Sequence, residues 1–317
     1  MHDISAKSKV LITGSTGFVG RFMCSELENR GMPFCAVVRS TKYLPCCSEY
    51  ELIPEIGPET NWDKALHGVD KVIHLAGRAH VLNESEENPR KSYKTINVSS
   101  TLNLARQAAN AGIKRFVFVS SIKVNGESTS TDNPFRSDDE PYPMDEYAIS
   151  KHEAELGLRQ IAIETEMDVV IVRPPLVYGQ GVKGNLALLQ NLISKGIPLP
   201  LGAVTTNKRS FIYLGNLADF IILCLDHHLA KNHTFLVSDG NDLSTKSLIM
   251  HIANGLGCTV RLIPVDIFIL HIGAKVLGKV DVYKRLCGSL AVDIESTRRL
   301  LDWTPPFSVE EGFRNII

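Results

Sequence analysis

Thr13-Gly14-Ser15-Thr16-Gly17-Phe18-Val19-Gly20 follows directly on the apolar run Val10-Leu11-Ile12 and opens a helical pattern that Gly31 closes. The order of strand, glycine loop and helix is what makes the glycines informative. Gly14 and Gly17 let backbone amides approach a pyrophosphate at a helix N-terminus, where the partial positive charge favours an anion, and Gly20 lets the helix lie close on a sheet. The loop reads as a dinucleotide cradle built by Gly14, Thr16, Gly17, Phe18, Val19 and Gly20; a plain tight turn is the competing reading.

Outward from this loop, short apolar runs alternate with longer helical patterns, which predicts an α/β fold with a doubly wound parallel sheet of the Rossmann kind. Strands are expected at Val10 to Thr13, Phe34 to Val38, Glu51 to Ile53, Val69 to Leu75, Arg115 to Ser120 and Val169 to Arg173, and helices at Phe18 to Arg30, Trp62 to His67, Pro89 to Ala111 and Asp145 to Thr165. After Pro174-Pro175 helices mix with glycine- and proline-rich loops. The expected division is a dinucleotide-binding domain at 1–173, to which 212–237 returns with a strand at Phe235 to Val237, and a smaller, mostly helical substrate-binding lobe at 174–211 and 238–317. No internal repeat is found.

The end of the second strand bears on which dinucleotide binds. An acidic residue there would hold an adenosine 2'-hydroxyl and repel a 2'-phosphate; this chain has Arg39-Ser40. A guanidinium and a hydroxyl suit a phosphate and favour NADP(H) over NAD(H), although Arg39 also fits adenine stacking or a solvated surface charge.

Composition narrows the class of protein. Of 317 residues 44% are hydrophobic and 22% charged, and 34 basic against 35 acidic residues leave a formal charge of -1, which points away from nucleic acid. Met1 to Lys9 lacks the order of a secretory leader, so a cytoplasmic location is expected. Phe211 to Leu225 and Leu262 to Val280 are apolar but interrupted by charged and polar residues. They read as packed helices rather than membrane spans, the second with a face able to touch a membrane surface. The seven cysteines include no C-x-x-C pair and read as free thiols; no metal site is expected.

Tyr147-Ala148-Ile149-Ser150-Lys151 places a phenol and an ammonium one helical turn apart on one face. A cation beside the phenol, joined by an oxidised nicotinamide, would favour the phenolate and let the tyrosine exchange a proton with a sugar hydroxyl while hydride moves. It is the only Tyr-x-x-x-Lys in the chain, and Ser120-Ser121 ends a buried strand upstream, with Ser121 26 residues before Tyr147. Strand ends in doubly wound folds meet ligands, so Ser121 is expected to hold the reacting oxygen. His74, inside a buried strand, reads as a hydrogen-bonded core residue.

Together, the glycine loop, His74-Leu75-Ala76-Gly77, Asn97, Ser120-Ser121, Tyr147 with Lys151, Arg173 to Gly179, Arg209 to Tyr213 and Leu300 to Trp303 resemble the extended short-chain dehydrogenase/reductase family over nearly the whole chain. The likeness is strongest to nucleotide-sugar epimerases and 4-keto reductases. Ser120 to Glu127 and Leu286 to Leu290 are similar to bacterial UDP-N-acetylquinovosamine dehydrogenases of O-antigen synthesis.

The resemblance implies catalysis by Ser121, Tyr147 and Lys151. It implies cofactor contacts from Arg39, Ser40, Ile56, Leu75, Ala76, Gly77, Asn97, Ser120 and Pro174 beside the glycine loop. UDP-sugar contacts are implied for Ser121, Lys123, Asn125, Tyr147, Asn185, Arg209 and Ser289, and a homodimer through the helices Pro89 to Ala111 and Asp145 to Thr165. The chain departs from the family at Asn125, where a tyrosine is usual, at Leu176, where many relatives have asparagine, and at Glu55-Ile56, where an aspartate usually precedes the apolar residue.

Two chemistries share this toolkit. The non-acidic Arg39 favours a reductase that delivers hydride to C4 of a UDP-4-keto-6-deoxy-N-acetylhexosamine; the alternative is a UDP-glucose or UDP-GlcNAc 4-epimerase that keeps NAD bound. A 4,6-dehydratase would need an acid and a base after Ser121, where Ile122-Lys123 stand. A non-catalytic cofactor sensor would be expected to lack the tyrosine or the lysine, and both are present.

Overall fold

The computed structural model describes residues 8–78 and 88–316. The stretch Met1 to Lys9, where no secretory leader is expected, falls mostly outside the described residues. Nine strands are described: β1 (Val10–Thr13), β2 (Phe34–Val38), β3 (Tyr50–Leu52), β4 (Lys71–His74), β5 (Arg115–Val119), β6 (Asp168–Arg173), β7 (Leu176–Tyr178), β8 (Phe211–Tyr213) and β9 (Thr234–Leu236). The helices are α1 (Phe18–Asn29), α2 (Asp63–Leu66), α3 (Pro89–Tyr93), α4 (Ser100–Asn110), α5 (Glu146–Glu164), α6 (Asn185–Ser194), α7 (Leu214–Asp226), α8 (Thr245–Gly255), α9 (Ile267–Val276), α10 (Val280–Cys287), α11 (Glu295–Leu301) and α12 (Val309–Arg314).

Seven strands form one sheet in the order β3-β2-β1-β4-β5-β6-β9. β1 pairs in parallel with both β2 and β4, in register Val10↔Phe34 and Thr13↔His74. Strands β1 and β2 are buried at every position, as expected for a parallel sheet covered on both faces. One side packs Leu11, Trp62, Val72, Leu104, Phe116 and Leu158 into a continuous core. Chain order reverses between β1 and β4, and there the first connection leaves β1 as the glycine loop; ligands of such sheets bind outside the carboxyl ends of the strands at this switch.

The chain divides into two compact units: Met1–Asn125, Pro141–Arg173 and Ala218–Phe235 form the first, and Gly126–Glu140, Pro174–Leu217 and Leu236–Ile317 the second. The units differ from the sequence division at 126–140, 212–217 and 236–237. The segment 126–140 goes to the second unit because its backbone pairs there: Thr129 N donates to Ser289 O at 3.0 Å, Phe135 N to Ala291 O at 2.9 Å and Asp293 N to Phe135 O at 2.8 Å. Residues 212–217 follow because β8 pairs in parallel with β7, a two-stranded sheet that the apolar run Phe211 to Leu225 concealed.

Two helices also differ from expectation. The run Pro89 to Ala111 is broken by a π-helical turn at Lys94–Ser99, which buries Asn97; such turns recur at functional sites. The stretch Leu262 to Val280 does not pack as a buried helix: α9 has no buried residue, nor has α10. Among the described residues no helix is long and apolar enough to cross a membrane.

Candidate active site

The glycine loop is held by close backbone approach. Gly14 has φ +70°, and a Cβ there would lie 2.7 Å from the Ala76 nitrogen; a Cβ at Gly20 would lie 2.1 Å from the Gly14 carbonyl oxygen. Gly17 N donates to Gly14 O at 2.9 Å, which closes the turn. Gly17 then stands as the N-cap of α1 without a side-chain cap, so the amides of the first turn have no partner within the helix. An uncapped N-terminus over a glycine cradle fits the diphosphate of a dinucleotide. Thr16, Phe18 and Val19 surround it half-buried.

Arg39 and Ser40 are exposed beyond β2, and the Ser40 hydroxyl accepts from Lys42 N at 3.2 Å. Ala76 N donates to the Thr13 hydroxyl at 3.3 Å, which sets Leu75, Ala76 and Gly77 beside the loop. Ile56 is half-buried against the core. Pro174 is buried just after β6, at the start of a second-unit segment.

Asp145 starts α5 by capping it, its carboxylate accepting from Ala148 N at 2.7 Å, and Lys123 forms an ion pair with the same carboxylate. That pair ties the segment after Ser121 to the helix carrying Tyr147. Ser121 lies beside the Tyr147 phenol, close enough to favour its ionised form. The phenol is pushed up to about 12 by burial, with Asp145 and Tyr93 adding to the rise and Ser121 opposing it. Lys151 is not among the groups that shift the phenol in the free protein. Its ammonium turns instead to the Val119 carbonyl at 2.9 Å, 4.4 Å over the Phe118 ring, and burial lowers it to about 8. One of its three protons is thereby engaged, and the others are suited to ribose hydroxyls. A Cβ at Gly77 would lie 3.5 Å from this nitrogen, so the glycine keeps the approach to it open.

Behind these groups lies a network that sequence reasoning missed. Arg173 and Glu155 form a buried ion pair in fork geometry, with Nε to Oε1 at 2.9 Å and Nη2 to Oε2 at 2.5 Å. The Ser120 hydroxyl donates to Glu155 at 2.5 Å, and Arg173 Nη1 donates to the Asn125 amide oxygen at 2.9 Å. Both ends of the Ser120–Asn125 turn are thus fastened to α5 and β6. The Ser120 hydroxyl and the Asn125 amide oxygen are both engaged with this pair. Glu155 lies one turn beyond Lys151, and its charge opposes the lowering of the lysine. The available signal was a charged residue at 4-residue spacing on the face of Tyr147 and Lys151.

Asn97, in the π-helical turn, donates to the Ser150 hydroxyl at 2.9 Å and exchanges hydrogen bonds with the Arg78 backbone. His74 is bonded by Thr13 at 2.7 Å and Thr101 at 2.9 Å, and burial lowers it to about 3. It is a neutral core histidine, as the sequence indicated.

The second unit contains a cavity of about 440 Å³, walled largely by leucines and lined also by Asn185, Arg209, Thr245, Lys279 and Arg285. Asn185 opens α6 after Gly184, whose φ is +69°. Arg209 donates to Gly288 O at 3.3 Å, and burial with the neighbouring Arg285 lowers its pKa. Two guanidiniums in an apolar wall make an anion such as a diphosphate a fitting ligand. Ser289 does not line this cavity; its hydroxyl accepts from Lys208 N at 3.0 Å.

Residues 10–238 match the model of the NAD dependent epimerase/dehydratase family. The chain is 42% identical over 315 residues to the UDP-glucose 4-epimerase of Vibrio cholerae, covering 98% of this chain and 95% of that one. It is 26% identical over 334 residues to the dTDP-4-dehydro-6-deoxyglucose reductase of Escherichia coli, covering 98% and 97%. The crystal structure of UDP-N-acetylglucosamine 4-epimerase from Bacillus cereus shares the fold, with a TM-score of 0.78 at 22% identity over 97% of each chain. The chain therefore belongs to the NAD dependent epimerase/dehydratase family, with a nicotinamide dinucleotide as its cofactor.

Proposed function

We propose that the protein is a UDP-hexose 4-epimerase. The chemistry rests on the placement of Ser121 and Lys151 about the Tyr147 phenol, on the unit that holds the glycine cradle. The choice of epimerisation rests on the 42% identical Vibrio cholerae relative, which places this reading ahead of the reductase expected from Arg39. The α1 N-terminus, Ala76, Gly77 and Lys151 would hold the dinucleotide. When bound, its nicotinamide accepts hydride from C4 and returns it.

Ser121 orients the C4 hydroxyl, and Tyr147 takes its proton as the carbon–hydrogen bond breaks. The resulting 4-keto sugar presents its other face, and the phenol returns the proton as hydride comes back. With Tyr147 at about 12 in the free protein, the positive charge of the oxidised ring and of Lys151 must favour the phenolate once the complex forms. Arg209 and Asn185 bind the nucleotide diphosphate. The subunits pair through α4 and α5, where Leu156 and Ile163 are exposed.

The test is direct. Purified protein should interconvert UDP-glucose and UDP-galactose, or their N-acetyl counterparts, without added cofactor. One observation favours the second reading, a UDP-4-keto-sugar reductase: Arg39 stands where an acidic residue would select NAD. Stoichiometric NADPH consumption with a 4-keto nucleotide sugar, without interconversion, would establish the reductase instead.

A further inference from the structure

α9 runs Ile-Phe-Ile-Leu-His-Ile-Gly-Ala-Lys-Val, and none of its residues is buried. A helix apolar on all sides is ordinarily enclosed by protein. Here one face, with Leu270 and Ala274, lines the second-unit cavity. At 100° per residue the opposite face stacks Phe268, Ile272 and Val276, flanked by Ile269. These side chains stand in solvent, with Phe268 68%, Ile269 59% and Val276 81% exposed. His271 meets the Tyr283 ring at 4.8 Å, which holds α9 against α10. The outward ridge is therefore presented by a braced pair of helices.

The charges around the ridge are mostly basic. Lys275 shares its face near the helix C-terminus, and Arg261 and Lys284 lie in the same short stretch of chain, all exposed, with Lys279 and Arg285 at the cavity, against Asp266 and Asp281. The whole chain carries a formal charge of -1, so this basic excess is local. Apolar side chains on a ridge with lysines at its edge are the pattern of a helix lying in a lipid interface, where long basic side chains reach back to headgroups.

We propose that α9 and α10 form a peripheral docking surface for anionic lipid bilayers. Phe268, Ile272 and Val276 enter the headgroup boundary, and Lys275 and Lys284 pair with lipid phosphates. The ridge faces away from the cavity that holds Asn185 and Arg209, and the proposal does not depend on which reaction is assigned above.

The test uses the full chain and sedimentation with vesicles of phosphatidylcholine alone or with about 30% phosphatidylglycerol, at low and high salt. The protein should pellet with the anionic vesicles and be released by salt. Phe268→Glu with Val276→Glu should reduce binding by about tenfold or more. Lys275→Gln and Lys284→Gln should each weaken it about fivefold. These positions lie outside the glycine cradle and the cavity lining, so cofactor affinity reports that the variants are folded. A Phe268→Trp variant adds a spectroscopic reading, with emission shifting to the blue on anionic vesicles. Equal sedimentation with both vesicle types, or undiminished binding by the double glutamate variant, overturns the proposal. So does self-association that the glutamates abolish in a protein that never binds vesicles, which would make the ridge a contact between copies.

Discussion

α5 and α9 invert each other. α5 buries Lys151 and Glu155 and leaves Leu156 and Ile163 in solvent, whereas α9 is almost wholly apolar and buries nothing. Hydrophobicity alone would have exchanged them. A charge stays inside α5 because each one meets a partner: Lys151 the Val119 carbonyl, and Glu155 both Arg173 and Ser120. Apolar side chains stay outside on α9 because the protein offers nothing to cover them. Position is decided by what each group can be paired with, and function is concentrated where the simple pattern fails.

The largest expected effect falls on the α5 face. Tyr147→Phe keeps the ring and removes the proton carrier, and turnover should fall by about 10²- to 10⁴-fold while dinucleotide affinity is retained. Initial rates beside a fluorescence titration of cofactor would check both. Full activity in the variant would break the link between this face and catalysis.

The next effect is on stability. Arg173→Met leaves the Glu155 carboxylate buried without its cation, at a cost of about 3–5 kcal/mol, while Arg173→Met with Glu155→Leu should recover most of that loss. Denaturant unfolding of the two variants separates the worth of the pair from the penalty of half a pair. Recovery of stability without recovery of turnover would show that the pair also positions Ser121 through Ser120 and Asn125.

Lys151 offers a pH reading. Its pKa near 8 lies below the 10.5 of a free lysine, so the folded protein gives up this proton before the unfolded chain does. Stability contributed by this group therefore rises with pH from about 8 to 10.5, because the cost of a buried ammonium disappears. Activity that needs the ammonium moves the other way, and kcat/KM should decline as pH passes about 8. A pH profile of the free enzyme checks this, and Lys151→Met should remove the rise in stability.

Much of this was legible in the sequence where the determinants are local. β1, the glycine loop and α1 are contiguous, and Tyr147 and Lys151 are fixed by helical spacing, so type and place could be read together. Which way the ammonium points could not be read, because it depends on the Val119 carbonyl of another element. Glu155 and Arg173 looked like exceptions within a helix and a strand until the fold set them face to face. The segment 126–140 is polar, and its assignment rests on backbone pairs with Ser289 to Asp293, which no side-chain pattern announces. α9 misled for the opposite reason. Its composition was read correctly as apolar, but protein meets only one of its faces, and no side chain of it is fully buried.

The smallest expected effect follows from that exposed face. An apolar-to-glutamate change within the core would create a buried, unpaired charge and unfold the protein. At Val276, 81% exposed, the new carboxylate stays in water and displaces no contact that the fold depends on. Val276→Glu should therefore change unfolding free energy by no more than about 0.5 kcal/mol. Placing the acid in the last turn of α9 works slightly against the helix dipole, and that is the main cost. A larger loss would mean that the ridge is covered in solution by protein, and the contrast between the two helices would then be one of partner rather than of exposure.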